Sequence, residues 1–199
     1  MAATVHGNAI GRWFEELCRI KIEPIGSVCR KDQSALLPGK IPTTGGVYAF
    51  WWTGARKLLT GKSCNRHLEL AGPAGRRVLL ELDDDWLGVS TNLPIPLYVG
   101  KNAGNISKRA GQHLTLSVKR LLPIGSGAAK QKRPTTSCQL RAGVEHLFPA
   151  ELDTRTLILN NVGLSYIELD GDDHAANRFY LEDLAVGLMK PPLNVDIER

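Results

Sequence analysis

The chain has 199 residues, 43% of them apolar and 23% charged, which suits one domain with a substantial core and excludes wholesale disorder. Its four cysteines, Cys18, Cys29, Cys64 and Cys138, form no CxxC pair. Neither a zinc cluster nor a disulfide framework is expected, and a reducing, cytoplasmic setting is. No apolar run approaches membrane-spanning length, and the first residues lack the basic start and apolar core of a secretory leader, so a soluble protein is expected.

The net charge of +5 is unevenly distributed. Between Trp86 and Val144 there is no Asp or Glu, while Lys101, Lys108, Arg109, Lys119, Arg120, Lys130, Lys132, Arg133 and Arg141 all fall there. The rest of the chain is therefore net acidic. Segregation of this kind suits a surface that meets a polyanion, although a solvated basic loop would look the same.

In chain order, Ile10, Trp13, Phe14, Leu17 and Cys18 share one face of a helix expected over Asn8–Ile22. Pro24, Gly26, Pro38, Gly39 and Pro42 punctuate a loop, so residues 1–44 read as an N-terminal helix and loop. Gly45-Gly46 opens VYAFWW, a core strand. Residues 55–93 read as an insertion with one strand near Val78–Leu82, and Asp83-Asp84-Asp85 as a solvated turn. The run PLYVG, ending at Gly100, is the next strand. A helix capped by Asn105 or Ser107 should run to about Leu121. Residues from Ile124 to Thr136 read as a flexible basic loop and Cys138–Phe148 as a short helix. LSYIEL, at 164–169, alternates like a strand. Ala175–Met189 is a helix stopped by Pro191-Pro192, with Tyr180-Leu181 and Ala185-Val186 turned inward. The whole is a single mixed α/β domain with its core in 45–194.

Several side chains carry candidate chemistry. Tyr48 and Tyr98 lie on adjacent strands beside glycines, where a backbone or a phosphate can approach closely. A phenol is a poor base at neutral pH unless a neighbouring cation such as Lys101 favours its ionised form. Arg109 and His113 stand on one face of the helix after the second strand. Arg109 suits a phosphate held by two hydrogen bonds, and His113 suits a second oxygen or a proton transfer. Glu182 could hold Mg²⁺ if water and substrate oxygens complete the octahedron. Taken singly, the tyrosines read equally as core residues, the Arg–His pair as a basic helix face, and Glu182 as a surface acid. Trp51-Trp52 could stack on nucleobases, but alternation along a strand places at least one in the core.

Taken together, Gly46-Val47-Tyr48, Tyr98-Val99-Gly100-Lys101, Arg109, His113, Glu182 and Asn194 resemble the GIY-YIG nuclease superfamily in order and spacing over roughly Gly45–Asn194. The strings GVYAFWWTG and LPIPLYVGK look most like its type II restriction endonuclease branch. Two departures stand out. Valine replaces isoleucine in both motifs, and the interval between Tyr48 and Tyr98 is longer than in most members. The resemblance implies a small three-stranded antiparallel sheet flanked by helices. It implies a general-base role for Tyr48 with Lys101, phosphate binding by Arg109 and His113, and a site shaped by Tyr98 and Asn194. It further implies one Mg²⁺ or Mn²⁺ ion per active site on Glu182. The expected activity is sequence-specific cleavage of double-stranded DNA, gripped by Lys108, Lys119, Arg120, Lys130, Lys132 and Arg133. Cutting both strands would call for a homodimer. A structure-specific repair or recombination nuclease, a non-catalytic DNA-binding module, and a fortuitous likeness in an unrelated protein are the alternatives.

Overall fold

The structure is a computed structural model, and it describes residues 5–71, 77–83, 86, 94–116 and 139–195. In chain order these form α1 (Gly7–Arg19), β1 (Glu23–Pro24), β2 (Gly46–Trp52), α2 (Arg56–Thr60), β3 (His67–Ala71), β4 (Arg77–Glu81) and β5 (Ile95–Asn102). They continue with α3 (Ile106–Leu114), α4 (Gln139–Leu147), α5 (Thr154–Asn161), β6 (Val162–Glu168) and α6 (Ala175–Met189). The fold is mixed α and β, and no described helix is long and apolar enough to cross a membrane.

The main sheet runs β1-β6-β2-β5, antiparallel throughout. Its three long strands are those expected from VYAFWW, PLYVG and LSYIEL. The expected count of three is corrected to four, because Glu23–Pro24 adds a two-residue strand on the outer edge of β6. Proline is tolerated there because an edge strand need not donate on both sides. Every residue of β2 is buried, as a central strand covered on both faces requires. On one face Val47, Ala49 and Trp51 join Val99 and Ile167 beneath α1 and α6. On the other, Tyr48, Phe50 and Trp52 join Ile106, Leu114, Val144 and Ile158, carried by α3, α4 and α5. Both tryptophans are core. Trp51 Nε1 donates to Ser165 Oγ at 2.7 Å, and Trp52 stacks on Phe148 with centroids 5.5 Å apart.

Two expectations about the rest of the chain are corrected. The insertion holds a two-stranded hairpin, β3 with β4, and the short helix α2, rather than a single strand. The helix after β5 ends at Leu114, not near Leu121, because Thr115 takes a left-handed conformation at φ 44° and breaks the hydrogen-bond ladder. The expected basic loop, with Lys119, Arg120, Lys130, Lys132 and Arg133, lies outside the described residues, as do Asp84, Asp85 and Cys138. The hairpin is tied by an Arg77–Glu69 ion pair at 2.9 Å.

The outer edge of β5 is closed by the chain segment after α6. Leu193 N donates to Leu97 O at 3.1 Å, where a bulge leaves Leu97 out of the ladder with β2. Asn194 then uses both ends of its amide, accepting from Val99 N at 2.7 Å and donating to Val99 O at 2.6 Å. The side chain thus stands in for a neighbouring strand. One residue on, Gly100 faces Tyr48 in the register, and a Cβ built there would lie 2.6 Å from the Tyr48 hydroxyl and 2.8 Å from the Tyr98 ring. Neither ring can retreat from a packed interior. Gly100→Ala is therefore expected to destabilise the fold by about 1–3 kcal/mol, read from urea denaturation midpoints at unchanged slope.

Candidate active site

The residues singled out in the sequence meet at the β5 edge, where the Tyr48 ring lies across Gly100. Three local devices place them. Asn102, the last residue of β5, accepts from Gly104 N at 2.9 Å and Asn105 N at 2.6 Å, turning the chain sharply. Asn105, rather than Ser107, is the cap of α3, accepting from Lys108 N at 2.7 Å. The first turn of α3 is also tied to the loop before β2, through Ile106 N to Thr44 O at 3.0 Å and Ser107 N to Pro42 O at 2.9 Å. Arg109 and His113, one turn apart, are thereby aimed at the tyrosines. On the opposite face, Arg178 donates to Leu169 O at 2.6 Å and Gly171 O at 2.7 Å. That clamp sets the start of α6 and so the position of Glu182.

Tyr48, Tyr98 and His113 form an aromatic cluster. The Tyr98 and His113 rings are 4.5 Å apart, Tyr48 and His113 5.9 Å, and the two tyrosines 6.4 Å. Tyr48 is fully buried, and its hydroxyl has no partner in close hydrogen-bond geometry among the described residues, although the Arg109 guanidinium lies near enough to act on it as a donor. Burial pushes its pKa far above the usual phenol range, and Tyr98 pushes the same way. The nearby Arg109 guanidinium opposes that shift, and the Glu182 carboxylate adds to it. The phenol is thus held neutral between an opposing cation and anion.

His113 is also fully buried, and neither ring nitrogen finds a partner among the described residues. Burial, and then the positive charge of Arg109, lower its pKa to about 3. The imidazole is neutral at physiological pH, with one nitrogen able to accept and the other to donate. Arg109 itself is half-buried, and its Nη1 donates to Gln112 Oε1 at 3.3 Å.

Lys101 and Glu182 reach the same edge from the other face. Lys101 pairs in register with Val47, whose side chain belongs to the core under α1 and α6. Its ammonium forms an ion pair with Glu182 Oε2, both side chains being partly shielded from solvent. The structure therefore gives Lys101 to Glu182. The groups that act on the Tyr48 phenol are Tyr98, Arg109 and Glu182. Asn194 is engaged with the Val99 backbone and supports the strand beneath the site.

As a metal ligand Glu182 is a single hard carboxylate, and no group of three His, Cys, Asp or Glu able to share an ion is found among the described residues. Such a donor fits an ion that keeps most of its waters and takes substrate oxygens, as Mg²⁺ and Mn²⁺ do, and not one that needs an all-protein cage. Lys108 is exposed on α3, as a DNA contact would need. Arg141 leaves the basic surface altogether: it is fully buried in α4 and paired with Glu145 at 2.8 Å.

Sequence reasoning missed Phe179. It lies three residues before Glu182, hence on the same side of α6, and its ring centroid is 5.2 Å from Lys101 Nζ. An aromatic at that helical spacing from a candidate metal ligand was the available signal. Tyr180, expected inward, is 48% exposed and edge-on to Phe179, while Leu181 and Ala185 are buried as expected. A cavity of about 680 Å³ opens elsewhere, among Phe14, Trp51, Trp86, Pro94 and Met189, and its described lining includes none of the site residues. No family model matches the chain, and no curated protein does.

The buried imidazole makes the fold acid-sensitive in a defined direction. Its pKa falls from 6.5 to about 3 on folding, so below 6.5 the unfolded chain binds a proton that the folded one refuses. This contribution to stability is whole above 6.5 and declines as pH falls toward 3, by about 1.4 kcal/mol per pH unit. Between pH 7 and 5 the wild type should lose about 2 kcal/mol more than His113→Phe, measured by chemical denaturation at each pH.

Proposed function

We propose that this protein is a divalent-metal-dependent DNA endonuclease of the GIY-YIG type, restriction-like and sequence-specific. The observation that carries the reading is the Tyr48 hydroxyl: buried, resting over a glycine, without a partner in close hydrogen-bond geometry, within reach of the Arg109 guanidinium and subject to the opposing charge of Glu182. A buried polar atom left unpaired costs stability, and such atoms concentrate where a substrate completes the hydrogen bonding.

Each residue then has a task in hydrolysing a phosphodiester. Arg109 binds the scissile phosphate and counters the negative charge that grows on it. Neutral His113 offers a donor to a phosphate oxygen or an acceptor to water. Tyr48 holds the attacking water, and its ionised form takes that water's proton. Burial, Tyr98 and Glu182 oppose the ionisation, and Arg109 favours it. Glu182 would hold one Mg²⁺ or Mn²⁺ ion, which would offset the carboxylate charge and supply Lewis-acid stabilisation of the leaving 3′ oxygen. Lys108 and the basic segment 119–133 would grip the duplex, and a homodimer would place two such sites on opposite strands.

Purified protein incubated with plasmid and Mg²⁺ should nick or linearise it, and chelation should stop the reaction. Glu182→Ala and Arg109→Ala are expected to cut at least about 100-fold more slowly. Undiminished cleavage by Glu182→Ala would refute the assignment, and preference for branched over linear duplex would favour a structure-specific nuclease. Tyr48→Phe separates catalysis from folding. It keeps the ring and removes a buried hydroxyl with no close partner, so its thermal midpoint should stay near that of wild type while cleavage falls by about 100-fold or more.

A further inference from the structure

The candidate metal ligand already holds a cation of the protein's own. The Lys101 ammonium sits on Glu182 Oε2, with the two side chains 26% and 17% exposed. That degree of shelter strengthens the pair beyond an ordinary surface ion pair, while still leaving a small ion room to enter. The Phe179 ring borders the same ammonium at 5.2 Å. Phe179 is 47% exposed and belongs to neither hydrophobic core, so burial does not account for its place. Attraction between the ring face and the ammonium does.

The ammonium occupies Oε2 and sets a positive charge beside Oε1 as well, so it opposes a divalent ion at either oxygen of Glu182. We propose that Lys101 competes intramolecularly for the metal position on Glu182, and that Phe179 is the positioning residue that keeps its ammonium there. The inference rests on the metal-dependent reading above and adds a gate to it. A divalent ion binds Glu182 more tightly once Lys101 has moved away, and a substrate phosphate offers the departing ammonium a second anion beside the same edge of β5. Metal and DNA would then bind with positive coupling, each raising the other's affinity by the same factor.

Mn²⁺ binding to the full chain without DNA, followed by electron paramagnetic resonance, tests this without any turnover. Lys101→Met should bind Mn²⁺ about tenfold more tightly than wild type, since the competent carboxylate is no longer a minor state. Phe179→Leu should bind about threefold more tightly, with Phe179→Trp restoring the wild-type value. Lys57→Met, which removes the same charge from an exposed position on α2, should change nothing. Equal affinity in wild type, Lys101→Met and Phe179→Leu, with binding still lowered by Glu182→Gln, would overturn the competition and leave the metal site standing. Binding unaffected by Glu182→Gln would overturn both. Because Phe179→Leu leaves the ion pair itself intact, it preserves the test if Lys101→Met folds poorly.

Discussion

The packing of the Tyr48 ring across Gly100 is the contact on which the candidate site depends. It requires β2 and β5 to be in one register, it requires glycine at that position, and it carries the phenol from the sheet interior to the strand edge. Most of the other placements follow. His113 closes over the two tyrosines because α3 starts one tight turn after β5. Glu182 influences the phenol from the far face of the strand. A side chain at position 100 would displace the Tyr48 ring and separate the two halves of the site.

The charges around this contact are arranged in opposition. A buried phenol and a buried imidazole are both kept neutral by loss of solvent, and both answer to Arg109. The guanidinium lowers the pKa of each, which favours ionised tyrosine and neutral histidine at once. Glu182 works against the first effect and is itself engaged by Lys101. A single change at the carboxylate would thus be felt by the phenol and by the lysine together. Tyr48 and His113 leave polar atoms unpaired in a packed interior, a local conflict that proteins tolerate at sites shaped for something other than stability.

Much of this was legible in the chain because the signals were local. The runs VYAFWW, PLYVG and LSYIEL gave the three long strands, and Ala175–Met189 matched its helix, since alternation, turn residues and a proline stop act over a few positions. Glu23–Pro24 was not legible: two residues carry no period, and only the edge of β6 makes them a strand. Thr115 likewise gives no warning of its left-handed turn, so the helix before it looked longer than it is. For the site, spacing brought out Tyr48, Tyr98, Arg109, His113 and Glu182, but it could not reveal who pairs with whom. Lys101 follows Gly100 in sequence and was assigned to the tyrosine. The pleat of the strand turns it to the opposite face, where Glu182 waits. Arg141 was counted as surface charge, and its burial depends on Glu145 one helical turn away.

The closure of β5 by Leu193 and Asn194 bears on how copies of this protein can meet. A sheet edge is an open invitation to pair with another chain, and at the site-bearing end that invitation is withdrawn by an amide that occupies both hydrogen-bonding groups of Val99. Two copies cannot join by extending the sheet through β5 without first prising off the segment after α6. Among the described elements, that leaves the helix faces, the hairpin of β3 and β4, and the far edge beside β1 as surfaces on which copies could meet.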